Sequence, residues 1–260
     1  MRKTACSTPS NGSGRTARSS GSPRASPPTR RSAPAPSGAR VSDARPVREP
    51  GARRLVLWRH GRTAWNLENR FQGKTDIPLD DTGVQQAHRA ARLLAGLRPT
   101  HLLASPLRRA ADTAEALAAV TGLPVRTDGD LTERDGGAWE GLTSREIRER
   151  YPEEHKAWQP PGGETSAQVA KRVAAALERA ADDLPPTGLL VVASHGAALR
   201  LGMSALLGLP EDVWKHIGGL SNCCWSVLTE LRDGGWRLAE HNAGTLPEPV
   251  LGDDRTDNGS

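Results

Sequence analysis

Residues 55–66 read LVLWRHGRTAWN. Leu55 to Trp58 form a short apolar run that stops at Arg59-His60-Gly61, with Thr63 and Asn66 close behind. The run reads as a buried strand, and the polar residues fall at its carboxyl end. A histidine beside an arginine is poorly suited to packing there. It is well suited to attacking a phosphate, because a neutral imidazole is a nucleophile and a guanidinium is a planar fork matched to phosphate oxygens.

Outward from this stretch, strand-like and helix-like segments alternate, which predicts an α/β fold with a mainly parallel sheet and helices on its faces. Strands are expected at Arg53 to Trp58, His101 to Ala104, Pro124 to Arg126 and Gly188 to Ala193. The last is a run of Leu and Val without a charge. Residues 67–81 read as a polar loop punctuated by Gly73 and Pro78. Val84, Ala87, Ala91 and Leu94 recur at helical spacing through about Leu97. Ser105-Pro106 reads as a helix start, a capping hydroxyl followed by proline at the first helical position. Thr143 with Glu146 predicts a capping box on a short helix ending near Pro152. Further helices are expected around Val169 to Ala181 and Ala197 to Leu207. Asp233-Gly234 is a hairpin turn between residues 222–230 and 235–240.

Charge divides the chain unevenly. Residues 1–50 hold ten Lys/Arg against Asp43 and Glu49, a net of +8, whereas the whole chain carries +5. The remainder is therefore near −3. Residues 1–52 are rich in Ser, Pro, Gly and Arg and cannot bury enough surface to offset chain entropy, so they are expected to be a disordered basic tail. Residues 53–247 are expected to form one domain and 248–260 a flexible tail. A cationic tail can touch nucleic acid or anionic lipid, but a solvated extension is the plainer reading, and nucleic acid is not expected as a partner. No apolar h-region follows Arg2 and Lys3, and no run approaches the roughly 20 apolar residues that cross a bilayer. Three cysteines form neither a disulfide framework nor a metal pattern. A soluble cytoplasmic protein is expected.

Arg59-His60-Gly-x-Thr63-x-x-Asn66 resembles the signature of the histidine phosphatase superfamily (phosphoglycerate mutase-like), Arg-His-Gly-x-Ser/Thr-x-x-Asn. Three further segments agree with that family in order. Ser105-Pro-Leu-Arg-Arg109-Ala resembles its Ser-x-Leu-x-Arg-Ala element, Leu131-Thr-Glu133 with Trp139-Glu140-Gly141 its acidic element, and His195 in VVASHGAALR its second histidine motif. The resemblance spans nearly all of residues 53–245. It implies a three-layer α/β/α sandwich. It also implies His60 as the nucleophile that forms a phosphohistidine, and Arg59 and Arg109 as phosphate clamps. His195 would hold a phosphoryl oxygen, and Gly61, Thr63 and Asn66 would complete the cradle.

The proton donor to the leaving group would be Glu133, with Glu140 as its competitor and the more structural of the two. Arg108, facing another way on a helix, should not reach the site, while Arg62 and Lys74 are weaker candidates for contacts beyond the phosphate. His88, His101, His155, His216 and His241 read as structural.

Mutases of this family carry a long insertion after the Trp/Tyr-Glu-Gly region that covers the pocket. Here only about 20 residues separate Gly141 from Gly162-Gly163-Glu164, so hydrolysis is the expected fate of the phosphohistidine. The expected activity is metal-independent hydrolysis of a small phosphomonoester, without a cofactor. A cofactor-dependent phosphoglycerate mutase and a non-catalytic phosphate-binding or scaffold protein are the alternatives. The substrates implied are phosphoglycerate, sugar phosphates, glucosyl-phosphoglycerate and α-ribazole phosphate. The resemblance also admits a homodimer.

Overall fold

A computed structural model describes residues 52–244. The expected tails, save Ala52, and the last three residues of the expected domain lie outside the described residues. In chain order the elements are β1 (Arg54–Arg59), α1 (Ala64–Leu67), α2 (Asp81–Ala95), β2 (His101–Ala104), α3 (Arg108–Thr121) and β3 (Val125–Thr127). After them come α4 (Ser144–Arg150), α5 (Pro152–Lys156), α6 (Ser166–Asp182), β4 (Leu189–Ser194), α7 (Gly196–Leu206), β5 (Trp225–Glu230) and β6 (Trp236–Ala243). The strands form one sheet in the order β3-β2-β4-β1-β5-β6. Strands β3, β2, β4 and β1 run parallel, while β5 is antiparallel to both of its neighbours.

The layers follow from alternation along strands buried on both faces. Leu55 and Leu57 of β1, with Leu190 and Val192 of β4, pack under Val169, Val173 and Leu177 of α6 and Leu199 of α7. Val56 and Trp58, with Val191 and Ala193, face the other way, onto Ala87, Ala91 and Leu94 of α2 and Ala114 and Leu117 of α3. The α/β/α sandwich with a mainly parallel sheet is thus borne out. A leucine buried at such a position is worth about 2–5 kcal/mol against truncation to alanine.

Local chemistry sets the helix ends. Asp80 caps α2 by accepting from Gly83 N, so that helix begins three residues before the first periodic apolar position. Capping boxes join Thr143 to Glu146 and Thr165 to Gln168, each cap worth about 1 kcal/mol. The chain turns near Pro152 as expected, but a further short helix, α5, starts there with the proline in its first turn.

The expected Ser105 cap is a correction. Helix α3 begins at Arg108 behind Leu107, with no side-chain cap bond, and the Ser105 hydroxyl is engaged elsewhere. The stretch between β3 and α6 joins Phe71, from the segment between α1 and α2, in a small satellite core, with Phe71, Trp139 and Ile147 buried together and Trp158 set edge-on to Trp139.

Candidate active site

Strand register assembles the site. Arg59 lies opposite Ser194 in the β1–β4 ladder, so His60 and His195, the next residue on each strand, emerge side by side. Their ring centroids are 5.2 Å apart. Ala104 lies opposite Ala193 on the other edge of β4, which places Ser105 beside the same histidine. The cluster therefore sits where open α/β sheets bind ligands, at the carboxyl ends of adjacent parallel strands.

His60 is 2 % exposed, and its Nδ1 lies 2.7 Å from the Gly61 carbonyl oxygen. A carbonyl only accepts, so Nδ1 carries the proton and the neutral ring keeps its lone pair on Nε2. Burial, then the charges of Arg109 and Arg59, hold this imidazole well below the ordinary histidine range. His195 is fully buried. Burial, followed by Arg109, His60, Arg59 and Arg172, lowers its pKa well below the usual value too. Its Nε2 meets Ser105 Oγ at 2.8 Å, and its Nδ1 is buried with no hydrogen-bond partner.

Two neutral buried histidines make stability pH-dependent. Their folded pKa values lie below the unfolded value near 6.5, so the unfolded chain takes up protons first as the solution is acidified. Their contribution is complete above about pH 6.5 and is lost as pH falls toward the depressed folded values. Thermal melting between pH 7.5 and 5 should show a fall in midpoint on acidification that is smaller in His195→Gln. An identical slope in that variant would remove His195 as a source of the effect.

The two arginines reach the site from different elements. Arg59 ends β1, is 3 % exposed, and donates through Nη1 to Leu220 O at 2.6 Å. Arg109 occupies the first turn of α3 and is fully buried. Its Nη1 and Nη2 donate to Thr75 O and Gly73 O at 2.8 and 2.7 Å. Neighbouring Arg108 is exposed, as the helical spacing implied.

The loop that grips Arg109 is fastened by Glu140, whose carboxylate accepts from the backbone N–H groups of Lys74, Thr75 and Gly136 and from the Thr75 hydroxyl. Glu140 is placed as a brace. Lys74 Nζ pairs with Asp135 (3.5 Å) and Arg62 Nε with Asp80 (2.8 Å).

Glu133, 3 % exposed, sits against the start of α7. Its Oε1 accepts from Arg134 N and Ala198 N at 2.8 and 2.9 Å, and its Oε2 from Ala197 N at 3.2 Å. The helix N-terminus thus holds a carboxylate two residues past His195. The next residue, Arg134, is buried and donates to the carbonyls of Glu164 and Trp158, and burial lowers its pKa to about 10.

Thr63 and Asn66 cap each other around α1. Thr63 Oγ1 accepts from Asn66 N, and Asn66 Oδ1 accepts from Thr63 N and from Asn222 Nδ2. Thr63 Oγ1 also contacts Gln72 Oε1 at 3.0 Å. The Asn66 Nδ2 atom is buried without a partner.

Several site residues were not anticipated from the sequence. Thr113 Oγ1 accepts from Gly61 N, Asn222 Nδ2 donates to His60 O, and Gln72, Ser105 and Ser194 are buried around them. Ser105 and Ser194 carried a signal, as members of the Arg109 and His195 elements. Among the described residues no group of three or more His, Cys, Asp or Glu is placed to hold a metal ion, and no helix is long and apolar enough to cross a membrane.

Two adjacent strand-end histidines are flanked by buried arginines, and residues 55–244 match the histidine phosphatase superfamily (branch 1), to which this chain belongs. It is similar to the glucosyl-3-phosphoglycerate phosphatase of Mycobacterium tuberculosis strain H37Rv, 38% identical over 213 residues that cover 74% of this chain and 95% of the relative. A probable phosphoglycerate mutase of Yersinia pestis is 35% identical over 193 residues, covering 70% of this chain and 86% of the relative. Among solved structures, a mycobacterial glucosyl-3-phosphoglycerate phosphatase in complex with VO3 superposes with a TM-score of 0.71 at 38% identity, covering 74% of this chain and all of that one. The family and the phosphatase class expected from the motifs are borne out.

Proposed function

We propose that this chain hydrolyses a small phosphomonoester through a phosphohistidine on His60. The observation that carries the reading is the His60 ring itself, with Nδ1 fixed on the Gly61 carbonyl, Nε2 left as the nucleophile, and Arg59, Arg109 and His195 around it. In the first step the Nε2 lone pair forms a bond to phosphorus as the ester P–O bond breaks. The leaving oxygen takes a proton from Glu133. In the second step water attacks phosphorus, gives its proton to Glu133, and the P–N electron pair returns to Nε2 as inorganic phosphate departs.

Arg59, Arg109, the Asn66 amide and His195 Nδ1–H are assigned to the phosphoryl oxygens, where fixed donors stabilise charge that grows in the transition state. With Nδ1 donating, His195 Nε2 accepts from the Ser105 hydroxyl. Gly61 permits the close approach of the anion, and Thr63 holds Asn66 in place. Charge neutralisation by these donors needs no cation, so EDTA should leave turnover within about twofold. Loss of activity restored by a divalent metal would overturn that assignment.

The names of the mycobacterial relatives favour glucosyl-3-phosphoglycerate as substrate. Residues 142–161 hold only the short helices α4 and α5, in keeping with access for water. A panel of phosphorylated sugars and sugar acids, assayed for phosphate release and for isomerisation in parallel, tests both points. Release from glucosyl-3-phosphoglycerate with kcat/KM well above that for 3-phosphoglycerate is expected. Exchange between 2- and 3-phosphoglycerate with little phosphate release would make the chain a mutase, and phosphate binding without turnover would leave a binding protein.

A further inference from the structure

The segment that carries His60 is held by α2 through direct backbone contact. A Cβ on Gly61 would lie 2.4 Å from Gly83 O, and one on Gly83 would lie 2.0 Å from Arg62 O, so only two glycines allow this approach. Asp80 fastens the same contact. Its N–H donates to Arg62 O at 3.0 Å, and its carboxylate both caps α2 and pairs with Arg62. Three residues past Gly83, the next position on that face of α2 is Gln86, 5 % exposed, whose Oε1 accepts from Arg62 N at 2.9 Å. Because a backbone N–H only donates, the amide oxygen must face it.

One peptide unit therefore joins two hydrogen bonds. The carbonyl of Gly61–Arg62 accepts from His60 Nδ1, and the N–H of the same unit donates to Gln86. Bonds linked through one amide polarise each other, so the Gln86 oxygen makes the Gly61 carbonyl a stronger acceptor. We infer that Gln86 is a positioning residue that acts through the Gly61–Arg62 peptide to hold His60 in its Nδ1–H tautomer and to support the ring as it becomes positive. This rests on His60 being the nucleophile.

As the P–N bond forms at Nε2, positive charge spreads over the imidazole and the Nδ1–H···O=C bond tightens. No proton leaves Nδ1, and the charge is withdrawn when water displaces the phosphoryl group. The arrangement does for this histidine what a buried carboxylate does for the base of a hydrolytic triad, with a neutral amide and one peptide between.

The charged and titratable groups facing His60 are Arg59 on β1, Arg109 on α3 and His195 at the start of α7, with Arg62 and Asp80 at the Gln86 end. The test uses the full chain with Gln86→Leu and Gln86→Glu. It reads the tautomer by nitrogen NMR of the imidazoles, phosphoenzyme formation by rapid quench, and the pH profile of kcat/KM.

Gln86→Leu should slow phosphoenzyme formation about tenfold with KM within about twofold, and should populate the Nε2–H tautomer. Gln86→Glu keeps an acceptor at the same place. It should return the rate to within about threefold and move the acid limb of the profile upward, because its carboxylate favours the imidazolium. A folded Gln86→Leu variant with unchanged rate and tautomer would overturn the inference. If that variant does not fold, an unmoved acid limb in Gln86→Glu overturns it instead. Failure to trap any phosphoenzyme in the unaltered protein would remove the nucleophile reading, while the tautomer measurement would still decide the role of Gln86.

Discussion

Replacing His60 with alanine should lower kcat by at least about four orders of magnitude and abolish the acid-labile phosphoenzyme expected on rapid quench of the unaltered protein. The size follows from the chemistry. Without Nε2 the reaction must pass through direct attack by water on a phosphomonoester, and only the oriented donors remain to help it. Those donors do not depend on the His60 ring. Arg109 is gripped by Gly73 O and Thr75 O, Arg59 by Leu220 O, and His195 by Ser105. The variant should therefore still bind vanadate or inorganic phosphate within about tenfold of the unaltered protein. Turnover within about tenfold of the original would remove His60 from the role. Loss of anion binding together with turnover would show that the substitution had collapsed the pocket.

Glu133→Gln should separate leaving groups. Esters of alkyl alcohols need a proton on the departing oxygen and should slow by about 10²–10³-fold, whereas p-nitrophenyl phosphate, whose phenolate leaves unaided, should slow by less than about tenfold. The structure adds a cost to this variant. Both carboxylate oxygens accept backbone N–H groups, so wherever the glutamine amide is turned, its NH2 faces another donor. About 1–3 kcal/mol of stability should go with it, measurable by denaturant unfolding. Equal slowing of both esters would point to another acid. Glu140 is a poor substitute, since its carboxylate is spent bracing the loop that holds Arg109.

How much of this was legible beforehand depends on how far apart in sequence the partners lie. Arg59, His60, Arg109, Glu133 and His195 sit in short motifs, and three of them, Arg59, His60 and His195, fall at strand ends. Thr63 and Asn66 were legible as site residues but not in their geometry, because their side chains bond to each other before they can reach a ligand. Ser105 was misread. A serine before a proline is a good cap signal, but the Ala104–Ala193 register puts its hydroxyl within reach of His195, and the helix starts three residues later.

Asn222 and Gln86 gave no signal. Each is a polar residue that bonds a backbone group of the His60 segment from a distant strand connection or helix face. The fold was more legible than the site because alternation and apolar runs are local properties, whereas the polar network is set by register. Helix α5 escaped notice because Pro152 reads equally well as the end of one helix or the first turn of the next.

The sheet order has a consequence for biosynthesis. Strand β4 lies between β1 and β2, which have no ladder of their own. A nascent chain that has emerged only as far as α6 therefore holds β1 and the β2–β3 pair with no seam between them, and His60 has no neighbouring histidine. Even β4 does not finish the work, since Arg59 and His60 take their remaining backbone and side-chain contacts from Leu220, Asn222, Cys223 and Cys224. Hydrolytic competence should appear only after residues 220–224 have joined the His60 segment, and a chain terminated before residue 220 should show no phosphate release in the phosphomonoester assay.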